Sequence, residues 1–225
     1  MTDGPNGPHQ DANDAAGTEP AASHVHLVER IVESKTLHRG RYLEFRQLTI
    51  ERADGSRSQR DIVWHPGAVA IVALDPQDRV LFVRQFRVAT GEALLEIPAG
   101  TLDVDAATGE VEPPDGAAAR ELEEETGYRA GRWERLAEFW TAPGFATERM
   151  WLYLATDLQP VEADRLGPDE DEHLELERVP WRDAVEMAER GVIRDAKSLV
   201  GLLTLARLRS SEGAPPTPRA AAPGG

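Results

Sequence analysis

The chain has 225 residues, of which 40% are hydrophobic and none is cysteine, and its formal net charge is −15. That composition supplies a core for one domain of ordinary size and excludes disulfides and any Cys-ligated metal. The acidic balance argues against nucleic acid or an anionic membrane as partner, because both attract Lys and Arg. Divalent cations held by acidic groups would still present positive charge to a phosphate. No basic segment leads into an apolar run at the N-terminus, and nothing approaches the roughly 20 apolar residues of a membrane span, so the expectation is a cytoplasmic protein.

Residues 1–24 and 211–225 are dominated by Gly, Pro, Ala and polar residues and are expected to be disordered tails around a domain at 25–210. β-Branched and aromatic residues in rough alternation predict strands over 26–34 and 42–51. Ala53-Asp54-Gly55 supplies a hairpin turn into a third strand over 57–63. The continuous apolar run 68–74 (AVAIVAL) predicts a strand buried on both faces, and Asp75–Asp78 turns the chain into a strand over 80–87. A helix is predicted over 115–126, strands near 133–140, 149–156 and 174–179, and closing helices near 181–190 and 196–209. In the last helix Leu199, Leu202, Leu203, Leu205 and Leu208 recur at helical spacing, which predicts core packing. Strands interleaved with few helices indicate an α+β or mixed sandwich and not a doubly wound parallel sheet.

The chemistry is concentrated in Arg120-Glu121-Leu122-Glu123-Glu124-Glu125-Thr126-Gly127-Tyr128. On a helix, Glu121, Glu124 and Glu125 stand at i, i+3 and i+4 and share one face, while Ala118, Ala119 and Leu122 are available for packing. Like charges so placed repel, and hard divalent cations among them would turn repulsion into attraction. Gly127 stands where a left-handed residue ends a helix. The bland alternative is a solvated acidic face, as charge runs usually are.

The segment resembles the Nudix box, in which Gly, five residues, Glu and seven residues precede Arg-Glu-apolar-x-Glu-Glu-x-Gly-apolar. The match runs from Glu112 onward. Upstream, strict spacing would put the box glycine at Ala106, whereas the glycine present is Gly100, which makes the intervening loop about six residues longer than the pattern. Three further marks resemble the ADP-ribose pyrophosphatase branch: Leu94-Leu95-Glu96-Ile97-Pro98-Ala99-Gly100, Val83-Arg84-Gln85-Phe86-Arg87, and Pro143 about fifteen residues past the box.

The resemblance implies a Nudix-type α/β/α sandwich with a mixed sheet and an N-terminal antiparallel β-rich subregion. It implies Mg²⁺, with Mn²⁺ as a substitute, held by the Ala99 carbonyl, Glu121 and Glu125, with Glu124 as an additional ligand. Arg87 maps to the phosphate-binding arginine, Arg60 is a weaker candidate of the same kind, and Arg120 is expected to position Glu124. Glu96 is either a support or contact for substrate or a buried ion-pair partner. The general base is expected in the acidic stretch 167–173, as Glu170 or Glu172. The implied reaction is hydrolysis of a nucleoside diphosphate sugar, ADP-ribose first, giving AMP and ribose 5-phosphate. GDP-mannose, UDP-glucose, a dinucleotide such as NADH, or a non-catalytic nucleotide-sugar sensor are the alternatives. A homodimer is expected by resemblance.

Overall fold

In a computed structural model, residues 22–161, 166 and 173–211 are described. They fall into two compact units. The first comprises the chain up to Gly67 with Thr101–Pro113 and Trp140–Arg149; the second comprises Ala68–Gly100, Pro114–Phe139 and the chain from Met150 onward.

In the first unit a short 3₁₀ turn, Ala22–Leu27, leads to an antiparallel sheet of β1 (Glu29–Arg39), β2 (Glu44–Arg52) and β3 (Arg57–Trp64) in that order. The predicted turn at Ala53-Asp54-Gly55 forms: Gly55 takes φ +80° and the Asp54 carboxylate accepts the Ser56 N–H at 2.9 Å. β1 runs to Arg39, five residues beyond its predicted end, because β2 offers it a pairing edge as far as Glu44. A strand ends where its partner ends, and no local pattern reports that.

The loop over 101–113 is a small hairpin. Val104 bridges Val111, Glu112 N–H donates to the Asp103 carbonyl, and Asp105 Oδ1 accepts the N–H groups of Ala107 (2.9 Å) and Thr108 (2.7 Å). The residues in excess of the box pattern are therefore paired, and Ala106 sits at the hairpin tip.

The second unit carries the core. β4 (Ala68–Ala73) is buried throughout, as the apolar run predicted. Ala68, Ala70 and Val72 join Leu202 and Leu205 in one hydrophobic cluster, while both α1 (Pro114–Thr126) and α3 (Ala196–Ser211) pack on this strand. β4 pairs in parallel with β9 (Arg149–Pro160) inside a sheet ordered β7-β4-β9-β8, with β7 at Ala99–Thr101 and β8 at Tyr128–Trp140. A second, antiparallel sheet has the order β10-β5-β6, formed by Glu175–Pro180, Arg79–Arg87 and Glu92–Glu96, and α2 (Trp181–Glu189) follows β10 directly. One mixed sheet with helices packed on it, together with antiparallel sheets, makes the α+β architecture that was expected.

Several local expectations need correction. The apolar pattern did not mark β6 and β7 as separate strands. β8 starts at Tyr128 and not near Trp133, because Gly127 at φ +73° turns α1 straight into it. Leu203 is 48% exposed, so the inward stripe of α3 is Leu202 and Leu205 with Leu199 beside them. On α1 the packing side is Ala117, Ala118 and Leu122, whereas Ala119 is exposed. Alternate small residues cannot by themselves say which of two neighbouring helix positions meets the sheet.

Candidate functional site

The predicted carboxylates lie on α1, on the side that meets β7. Gly100 is the decisive neighbour: a Cβ built there would stand 1.9 Å from Glu121 Cδ and 2.0 and 2.3 Å from its two oxygens. Only glycine admits the carboxylate at this distance, which identifies Gly100 as the glycine that the helix requires and removes Ala106 from consideration. One residue earlier, the Ala99 N–H donates to Glu125 Oε2 at 3.0 Å. Two residues of β7 are thus locked against two glutamates one turn apart.

Glu121, Glu123 and Glu125 are buried, and Glu124 is half-buried. Arg120 offsets part of this crowding, with Nη1 2.7 Å from Glu121 Oε1 and 2.8 Å from Glu124 Oε2. It therefore holds both carboxylates, where the sequence had suggested Glu124 alone. Among the described residues no group of three or more His, Asp or Glu side chains is already drawn together as a cation would hold them. The donor chemistry nevertheless fits a hard divalent cation: the carboxylates of Glu121, Glu124 and Glu125 and the peptide carbonyl of Ala99 are all oxygen donors. The close seat at Gly100 brings the first of these to the β7 backbone.

Glu123, at a variable position of the box, points elsewhere. It receives Arg129 Nε at 2.5 Å and Nη2 at 2.8 Å, and its Oε1 accepts the Leu166 N–H at 3.2 Å. Four glutamates within five residues thus divide into three at the candidate site and one tied to β8.

Arg87, at the end of β5, grips Glu96 with two parallel hydrogen bonds, Nε to Oε1 and Nη2 to Oε2, both 2.9 Å. Lys197 Nζ, from the first turn of α3, also binds Glu96 Oε2. Burial opposes ionisation of Glu96, but the Arg87 hydrogen bonds and the Lys197 charge outweigh it and hold the carboxyl at about 2. The hydrogen bonds that Arg87 donates to Glu96 in turn raise the Arg87 pKa against burial, with the charges of Glu96, Glu125 and Asp195 reinforcing it. Glu96 is therefore buried and ion-paired to Arg87 and Lys197 in this structure. The Arg87 side chain remains 40% exposed.

Arg60 belongs to the first unit. There it donates to Glu29 at 2.6 Å and to Ser58 Oγ at 3.0 Å, an engaged sheet arginine. Glu170 and Glu172 lie outside the described residues. Lys197 was not singled out from the sequence, since its partner is 101 residues away. The Asp195 cap next to it, which accepts the Ser198 N–H at 3.2 Å, was the only local sign of an anchored helix start.

A separate concavity of about 320 Å³ is bounded by Asp115, Trp133, Arg135 and Tyr153 and shares no predicted site residue. Its polar groups satisfy one another: Tyr153 Oη donates to Asp115 at 2.5 Å, and burial followed by this carboxylate pushes the phenol up to about 12.

Residues 64–200 match the NUDIX domain family. The chain is 37% identical over 172 residues to an ADP-ribose pyrophosphatase of Bacillus subtilis, covering 76% of this chain and 89% of that protein. An ADP-ribose pyrophosphatase of Mycobacterium tuberculosis is 38% identical over 178 residues, with 77% and 81% covered. A GDP-mannose pyrophosphatase of Cronobacter sakazakii is 34% identical over 170 residues, with 71% and 85% covered. Among solved structures, a protein described as an ADP compounds hydrolase superposes with a TM-score of 0.68 at 24% identity, covering 82% of this chain and 96% of that one, a likeness of fold. With the box helix seated on Gly100 and a family match over most of the described residues, the chain belongs to the Nudix hydrolase family.

Proposed function

We propose that the protein hydrolyses the pyrophosphate of ADP-ribose, giving AMP and ribose 5-phosphate, with Mg²⁺ as its metal and Mn²⁺ as a substitute. The observation that carries this reading is the contact of Gly100 with the Glu121 carboxylate, beside the Ala99–Glu125 hydrogen bond. It joins the β7 backbone to the acidic face of α1, where Ala99, Glu121 and Glu125 would hold the cation, with Glu124 as a further ligand. A bound divalent cation neutralises phosphate charge and makes the phosphorus open to attack by water.

The chain's own groups do the rest. Arg87, oriented by Glu96, binds a phosphate oxygen through the guanidinium donors that Glu96 does not use. Arg60 is a second, weaker candidate for the same task. A carboxylate of the acidic stretch, Glu170 or Glu172, accepts the proton of the attacking water as a new P–O bond forms and the bridging P–O bond breaks. Arg120 keeps Glu121 and Glu124 in place.

A panel of sugar nucleotides and NADH, each with Mg²⁺ or Mn²⁺, tests the substrate. ADP-ribose is expected to give the highest kcat/KM, with AMP and ribose 5-phosphate in equal amounts. Preference for GDP-mannose, the second reading, follows the likeness to the Cronobacter enzyme and would replace the first if its kcat/KM is higher. No turnover of any member of the panel would leave the sensor reading.

A cytoplasmic homodimer belongs to the same proposal. β1 is exposed along almost all of its length, and Val25, Leu27, Val28, Ile31 and Leu37 are exposed on or beside it. An edge strand with uncovered apolar side chains is a ready pairing surface. Light scattering after size exclusion is expected to give twice the chain mass; a monomer across the working concentration range would refute it. No helix among the described residues is long and apolar enough to cross a membrane.

A further inference from the structure

Glu96 ends β6 and is only 2% exposed, yet three donors converge on it, two from Arg87 on the neighbouring strand and one from Lys197, 101 residues away. A carboxylate's terminal torsion is broad, so a lone arginine–carboxylate pair can swivel as a unit. Here α3 removes that freedom. Lys197 binds Oε2, the same oxygen that accepts Arg87 Nη2. Lys197 is itself held by Asp195 Oδ1 at 2.9 Å, and its side chain is 12% exposed. The next residue, Ser198, is fully buried and accepts the Ile97 N–H at 2.8 Å, so the first turn of α3 grips the chain at two successive residues, 96 and 97. Asp195 completes the arrangement by accepting the N–H groups of Lys197 and Ser198, both at 3.2 Å.

We infer that Lys197 is a positioning residue for the phosphate contact of Arg87: from α3 it pins the Glu96 carboxylate, which sets the plane and direction of the guanidinium. The inference rests on the reading that Arg87 binds the pyrophosphate. Lys197 acts through Glu96 and not on substrate, because its ammonium is enclosed between two carboxylates while Arg87 stays partly open to solvent. Two cations and two anions balance in this cluster, so the fork of Arg87 is held without spending its whole charge on one partner.

The test is a double-mutant cycle on the full chain, reading KM and kcat for ADP-ribose together with the melting temperature. Lys197→Met is expected to raise KM roughly tenfold with kcat changed by less than about threefold, as for a lost binding interaction. Lys197→Arg should restore most of the loss. In an Arg87→Ala background the Lys197→Met substitution should add little, because the group it aims is gone. Equal effects of Lys197→Met with and without Arg87, or an unchanged KM, would overturn the inference while leaving Arg87 as the phosphate ligand. A normal KM in Arg87→Ala alone would instead remove the underlying reading and the inference with it. Should Lys197→Met fail to fold, Lys197→Gln, which keeps a donor toward Glu96 without the charge, is read in the same cycle: a smaller rise in KM that vanishes in the Arg87→Ala background is expected, and an equal effect with and without Arg87 would overturn the inference.

Discussion

Replacing Gly100 by alanine puts one methyl group into the space of the Glu121 carboxylate. The new Cβ would start 1.9 Å from Cδ, and ordinary contact begins near 3.4 Å, so the carboxylate must retreat by about 1.5 Å. The obstructing atoms are the far end of a flexible side chain, and Glu121 can rotate away while α1 stays where Ala117, Ala118 and Leu122 anchor it. The cost to folding should therefore be small, about 1 kcal/mol, from lost contact with Arg120 and an off-rotamer glutamate. The cost to catalysis should be far larger, since displacing a catalytic group by about 1 Å lowers rates roughly 100-fold. Steady-state hydrolysis of ADP-ribose at saturating Mg²⁺, with calorimetry on the same preparation, separates the two effects. The expected result is a kcat/KM reduced at least about 100-fold with a melting temperature within a few degrees of the parent. Ala106→Gly, at the hairpin tip, should be silent as the control. Normal turnover in Gly100→Ala would refute the assignment of Gly100 as the seat of Glu121, and a collapse in stability would show that the glycine serves packing instead.

Glu121→Gln and Glu125→Gln should each lower kcat by roughly two orders of magnitude with the fold retained; near-normal turnover of both at saturating Mg²⁺ would contradict the metal assignment. Glu123→Ala should do the opposite, costing about 1 kcal/mol in chemical denaturation by removing the hydrogen bonds to Arg129 and the Leu166 N–H, with kcat nearly unchanged. Glu96 has a folded pKa of about 2 against 4.5 unfolded, so its stabilisation is fully present above pH 4.5 and fades as pH falls toward 2. The stability gap between the parent and Glu96→Gln should accordingly shrink over that window, by on the order of 3 kcal/mol in urea titrations, and a gap independent of pH would show that Glu96 is not held ionised by its partners. One of Glu170→Gln and Glu172→Gln should reduce kcat by about 10²–10⁴-fold with little change in KM, and its partner should be tolerant; small, equal effects would move the base elsewhere, with Glu124 the next carboxylate to test.

Local chemistry was legible from the residues alone. The i, i+3, i+4 spacing of Glu121, Glu124 and Glu125 depends only on helix geometry, and Gly127 ends the helix by its own backbone freedom. The turn at Asp54-Gly55 and the double-sided burial of Ala68–Ala73 are likewise written in short windows of sequence. Contacts across the chain were not. Gly100 was named from the sequence as the box glycine, but that its missing Cβ makes room for the Glu121 carboxylate follows from where β7 meets α1, twenty-one residues on. Glu123 and Glu125 are identical residues two apart, yet one binds Arg129 and the other the Ala99 backbone. Lys197 gains its partner only because α3 folds back onto the end of β6. Periodicity records which face of an element is apolar; which side chain meets which is decided when the elements pack, because only then do backbone separation and desolvation select among carboxylates that look alike in sequence.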